Sequence, residues 1–124
     1  MKRGVFSLFL FLLAACSSSG SKSPEDAVRA LASAMERKDE EAIVAAFHPA
    51  VREAVQSELA RAQGNSRNEA IGACLRRSLE VGELEDAPDV DRIDGAKRLV
   101  VEGQRDTMVL APDDDEWFVI DSGC

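Results

Sequence analysis

Very few side chains in this 124-residue sequence can do chemistry. There are three cysteines, Cys16, Cys74 and Cys124, a single histidine, His48, and no tyrosine. An imidazole titrates near neutral pH, so His48 is the weak candidate for a general base. It precedes Pro49 at what reads as a junction between helices, where a histidine also serves as a cap. Asp106 and Asp121 fall in strand-like runs and could face a pocket, but spacing gives neither of them a partner. Three cysteines and one histidine lack the paired spacing of a zinc site, so no metal ligands and no cofactor-binding residues are assigned.

Three charged stretches invite a ligand and are weighed against plainer readings. In Asp89-Val90-Asp91-Arg92-Ile93-Asp94-Gly95, a calcium loop would need an oxygen ligand at the fifth place and glycine at the sixth. Ile93 and Asp94 stand there instead, so the register fails. The four carboxylates of Asp113 to Glu116 read as a solvated turn. Arg76-Arg77, with Arg67 and Glu80 nearby, could hold an anion but reads first as a salt-bridged helix face.

Cys16 belongs to a different chemistry. Lys2 and Arg3 precede an uncharged apolar run from Val5 to Ala15, eleven residues long, whereas a membrane-spanning helix needs about 20. A basic start, a short apolar run and small residues read as a cleaved export signal. Leu13-Ala14-Ala15-Cys16 resembles the lipobox of bacterial lipoprotein precursors. That resemblance implies a diacylglycerol thioether on Cys16, cleavage before it and acylation of the new amine. Each buried methylene adds ~0.8 kcal/mol, so two or three chains anchor firmly where one does not. Ser17 in place of aspartate implies, by the same resemblance, the outer membrane with the domain in the periplasm. The alternative is an ordinary secretory signal, cut after Ala15, that leaves Cys16 as a free thiol.

Cleavage divides the chain into 1–15 as signal, 16–22 as a Ser/Gly tether and 23–124 as one α+β domain. It also removes Lys2 and Arg3, so 15 basic side chains fall to 13 against 23 acidic ones and the formal charge moves from −8 to −10. That balance repels phosphate and argues against nucleic acid. The partners it allows are the membrane, reached through the lipid, and a protein with a basic face. In an oxidising compartment the two remaining cysteines have one intramolecular pairing, Cys74 with Cys124; a metal site and an intermolecular bond are the rivals.

The elements that position these residues follow from capping and periodicity. Ser23-Pro24-Glu25-Asp26 starts a helix, with a capping hydroxyl, proline in the first turn and acids at the positive end of the dipole. Val28, Leu31, Ala32 and Met35 then share one face. Asp39 caps a shorter helix that turns Ile43, Val44, Ala46 and Phe47 inward and ends near Pro49. A third helix carries Val51, Ala54, Val55, Leu59 and Ala62. A fourth opens at Ser66-Arg67-Asn68-Glu69 with capping-box spacing and lines up Ile71, Cys74, Leu75 and Leu79. Past Gly82 the pattern shortens, and strands are expected at Val90 to Asp94, Lys97 to Glu102, Thr107 to Ala111 and Glu116 to Asp121. Pro112 to Asp115 should turn between the last two. Trp117 and Phe118 must point to opposite faces, one into the core and the other exposed or covered by a C-terminal segment pinned to Cys74. Helices first and strands later predict an α+β fold, N-terminal amphipathic helices on a curved antiparallel sheet.

The Ser-Pro-Glu-Asp helix start, the Lys-Asp-Glu-Glu turn, the Ala-Phe-His-Pro junction and the closing Glu-Trp-Phe-Val-Ile-Asp strand together resemble the nuclear transport factor two-like superfamily of cone-shaped domains. That resemblance implies a cavity between helices and sheet, in which enzyme members place Tyr, Asp or His. With no tyrosine and one histidine, the reading favoured is a non-enzymatic, lipid-anchored envelope module for binding or assembly. The alternatives are a pocket-containing enzyme or small-ligand binder, and an acidic partner or inhibitor of a basic target.

Overall fold

The computed structural model describes residues 20–62, 67–90, 93–105 and 107–124. The expected export signal at 1–15, Cys16, Ser66 and Asp106 lie outside the described residues. Among the described residues the order is four helices and then four strands: α1 (Pro24–Arg37), α2 (Glu40–Ala46), a 3-10 turn (Pro49–Val51), α3 (Arg52–Arg61), α4 (Arg67–Val81), β1 (Glu83–Asp86), β2 (Lys97–Val100), β3 (Met108–Asp113) and β4 (Glu116–Asp121). The strands form one antiparallel sheet in chain order, β1-β2-β3-β4. No helix among the described residues is long and apolar enough to cross a membrane.

The first helix is built by its ends as much as by its face. Ser23 Oγ accepts from the Asp26 N–H at 3.1 Å, Pro24 occupies the first turn, and Lys38 closes the helix in the left-handed region at φ 57°. Between them Val28, Leu31 and Met35 are buried. Packing on them are Ile43 from α2, Leu75 from α4, and Leu99, Met108, Leu110 and Val119 from the sheet. Asp39 repeats the capping device for α2, accepting from the Ala42 N–H at 3.2 Å. The helix α3 differs from these, since none of its residues is buried.

In the sheet the structure departs from the expected strands. Of the strand expected at Val90 to Asp94, the described residues Val90, Ile93 and Asp94 lie outside any strand, and the first strand among the described residues is Glu83–Asp86. Its only apolar residue, Leu84, stands opposite Leu99 and packs on the main core, so one inward contact and backbone pairing suffice for an acid-rich strand. Val90 and Ile93 instead lie in the connection to β2, where they pack on a small patch made by Ala87, Ala96 and Ala111. The Val90 N–H donates to the Ala87 carbonyl at 3.3 Å, and Gly95 turns the chain at φ 79°.

Pro112 belongs to β3, not to the turn. The β2 ladder ends with Lys97 opposite Leu110, so a proline beyond that point removes no ladder bond on that side. The turn is only Asp114-Asp115, between the pair Asp113 and Glu116, with Asp114 at φ 58°. A short aspartate tolerates that left-handed conformation better than most side chains do.

Both outer edges of the sheet are protected. β1 is short and presents exposed Glu83, Glu85 and Asp86, a charged edge that resists pairing with another chain. The free edge of β4 is covered by the chain itself. Ser21 and Trp117 form an antiparallel bridge, Phe47 and Val119 a parallel one. Folded contacts thus already include Ser21, before the α1 cap where the domain was expected to start.

Cys74 and Cys124 are joined in a disulfide, with Cα atoms 6.2 Å apart and a sequence separation of 50. The separation suits a bridge. Gly123 permits the approach: it has φ 67°, and a Cβ there would lie 2.8 Å from the Thr107 carbonyl carbon. By chain-entropy arguments a loop of this length contributes ~4 kcal/mol. The oxidised protein should therefore migrate faster than the reduced protein on a non-reducing gel. The Cys74→Ala/Cys124→Ala variant should lose that shift and unfold at lower urea, by up to ~4 kcal/mol; an unchanged midpoint would count against the bridge as a stabilising element.

Candidate functional site

His48 is consumed by the fold. Its backbone N–H donates to the Val119 carbonyl at 2.8 Å, which fixes the residue at the edge of β4. Its Nδ1 accepts from the Ala50 N–H at 3.1 Å, so the ring caps the 3-10 turn and its remaining proton sits on Nε2. The ring is buried and packs edge-on against Phe118, with centroids 6.1 Å apart. A general base needs a lone pair free to meet substrate, and the Nδ1 lone pair is already committed.

Arg52 was not singled out by its sequence context, yet it organises the same corner. Its Nε donates to the Phe47 carbonyl at 2.9 Å and its Nη2 to the Ala45 carbonyl at 3.1 Å. These are carbonyls at the end of α2, where a cation is favoured by the helix dipole. The guanidinium also lies 5.3 Å from the centre of the Phe118 ring. Phe118 is therefore covered by His48 and Arg52, not by the C-terminal segment, while Trp117 turns toward the main core and is half-buried. The one available signal is an arginine at the start of a helix that follows a proline turn.

The other candidates are likewise engaged or solvated. Arg76 makes a two-pronged pair with Glu36 at 2.7 and 2.8 Å and donates to Ser33 at 3.2 Å, tying α4 to α1. The link runs between helices, not along α4 to Glu80. Asp89, from the calcium-like loop, takes both its oxygens to Arg98 at 2.9 Å. The tip residues Asp113, Asp114 and Asp115 are exposed. Asp121 accepts from the Gly123 N–H at 3.1 Å and so shapes the C-terminal turn. Among the described residues no three His, Cys, Asp or Glu side chains gather as a metal group.

What remains is a cleft. On one wall, Val51 from the 3-10 turn and Val55 and Leu59 from α3 repeat every fourth residue and are half-buried. Facing them are Phe47, Ile43 and Ile71, with Ile120 and Cys124 also lining the space and Glu58, Arg67 and Asn68 supplying polar groups. Its volume is about 470 Å³, within the range of small-ligand and side-chain pockets. A larger depression of about 650 Å³ lies on the other flank of α3, between Glu40, Glu41, Arg52 and Gln56. Arg52 there is committed to backbone carbonyls, so the apolar cleft is the better candidate for binding. The cleft exists because α3 rests on the core by one thin stripe; Ala54 and Ala62, read among the apolar residues of this helix, are exposed.

No protein family matches this chain, and no curated protein or solved structure is similar to it.

The ion pairs have a pH signature. Hydrogen bonds from Arg76, Lys97 and Arg98 hold Glu36, Asp86 and Asp89, respectively, below the ordinary carboxylate range. A depressed native pKa contributes stability that is present above the unfolded value and is lost as pH falls through the native one. The loss therefore falls below about pH 4. Because all three carboxylates are solvent-exposed, each effect is screened and small. Urea midpoints measured from roughly pH 5 down to pH 2.5 should fall, and should fall less steeply in E36Q; identical slopes would remove the Glu36–Arg76 pair from the account.

Proposed function

We propose that this protein is a bacterial envelope lipoprotein, held at the periplasmic face of the outer membrane by acyl chains on Cys16, and that its α+β domain binds a protein partner without catalysing a reaction. The lipobox at Leu13 to Cys16 supports the anchor. The binding reading rests on one observation: the cleft between α3 and α4 is walled mainly by apolar side chains, among them Ile43, Phe47, Val55, Leu59 and Ile71, while the single histidine of the chain is engaged by the Ala50 N–H and the Phe118 ring. Helices followed by an antiparallel sheet also support placing the domain in the nuclear transport factor two-like group.

The partner is a protein because the cleft is open along the length of α3 and mixes apolar walls with Glu58, Arg67 and Asn68. Such a mixture suits side chains from an amphipathic segment. Surface acidity then favours a partner with basic residues beside its apolar anchor. A small apolar ligand in the same cleft is the second reading, favoured by its volume alone.

The anchor is tested by Cys16→Ala, which should leave uncut precursor and release the protein from lipidated membrane fractions; unchanged processing and acylation would refute it. The binding surface is tested by placing a photo-crosslinking residue at Leu59 and, as control, at Arg77. A discrete protein adduct from Leu59 alone, lost in Val55→Glu, is the expected result. A small molecule that co-purifies with the native protein and is lost in the same variant would replace the protein partner with a ligand.

A further inference from the structure

Gly20 and Ser21, ahead of the first helix, are held against the sheet. Ser21 donates its N–H to the Trp117 carbonyl at 3.3 Å and accepts from the Trp117 N–H at 2.7 Å, which adds a short antiparallel rung to the outer edge of β4. Gly20 passes so close to Glu116 that a Cβ there would lie 2.4 Å from the Glu116 side chain. These two contacts fix where the chain leaves the domain. Only four residues, Ser17 to Gly20, lie between Cys16 and Ser21.

We propose that the end of the sheet carrying Trp117 and the Asp114-Asp115 turn is the membrane-facing surface of the domain, and that the bilayer holding the acylated Cys16 is what it faces. The proposal rests on the anchoring reading and adds position and orientation to it. Five Cα-to-Cα steps span at most ~18 Å when fully extended. A domain of about 100 residues has a radius of gyration of ~13 Å, so the leash is shorter than the domain is wide. The domain cannot turn over on such a leash. From Trp117, β4 runs to Asp121 and the chain continues to Ser122 and Cys124, which line the cleft. The cleft therefore opens at the end of β4 away from the lipid and meets partners from the periplasmic side, not lipids of the anchoring leaflet. The exposed carboxylates of Asp113, Asp114 and Asp115 repel anionic headgroups, so the lipid holds this surface near the bilayer without adhesion by charge.

The chain contains a single tryptophan, and it sits at the docking point. The full-length protein, processed and lipidated in cells, is purified and placed in phosphatidylcholine vesicles containing a dansyl-labelled headgroup lipid. Trp117 should transfer energy to dansyl strongly. Transfer should fall several-fold when twelve Gly/Ser residues are inserted between Ser18 and Ser19, and also when the tryptophan is moved to the cleft (Trp117→Phe with Leu59→Trp). Vesicle flotation reads the anchor separately. Protein that does not float overturns the anchoring reading and this proposal together. Protein that floats but shows weak transfer from Trp117, no effect of the spacer, or equal transfer from both tryptophan positions overturns the orientation alone.

Discussion

A strand at the edge of a sheet leaves a row of backbone N–H and C=O groups without partners, and how β4 meets that constraint decides much of this structure. At its start the edge is satisfied by Ser21, through both the N–H and the carbonyl of Trp117; further along, the Val119 carbonyl receives the His48 N–H. Each contact places something else. Ser21 sets the entry to α1, two residues before its Ser23 cap. His48 sets the exit from α2, and from there Arg52 reaches back to the Phe47 and Ala45 carbonyls while its guanidinium lies near Phe118. Chain segments on both sides of the first two helices are thus laid against one strand, and edge-to-edge association with another molecule is blocked there.

The far end of β4 serves a different purpose. Beyond Asp121 a tight turn with Gly123 in the left-handed region brings Cys124 to α4. The bridge ties the C-terminus to a helix that is itself clamped to α1 by Arg76 and Glu36. Against this rigid base α3 contributes only Val55, Leu59 and the preceding Val51, none fully buried. An element with few buried contacts opens at low free-energy cost. The cleft beneath α3 therefore combines a braced floor with a yielding wall, the arrangement on which the proposed binding role relies.

Much of this was legible from residues whose local chemistry decides the outcome. Ser23, Asp39 and the apolar spacing of Val28, Leu31 and Met35 give the first helices, because caps and amphipathic period act within a few residues. The last strand, Glu116 to Asp121, is bounded as its alternation implies. Cys74 with Cys124 follows from there being one pair left to make once Cys16 is set aside. What escaped depends on partners distant in sequence. Glu83 to Asp86 looks like a charged linker until Lys97 to Val100 pairs with it, and Val90 with Ile93 looks like a strand until Ala87, Ala96 and Ala111 provide a surface to cover. Phe118 gave no sign that Arg52 would lie over it. Ser21, in a run of serines, has no side-chain feature that predicts a backbone bridge 96 positions away.

The covered edge of β4 is the contact on which the placement of both helix junctions depends. Amide hydrogen exchange on the folded, oxidised protein reads it directly, because the Trp117 N–H faces away from β3 and has only the Ser21 carbonyl to protect it. Slow exchange at Trp117 and at His48, approaching that of Leu110 in the sheet interior, is the predicted result. Exchange at Trp117 and His48 as fast as in an unfolded chain, with Leu110 still protected, would contradict it.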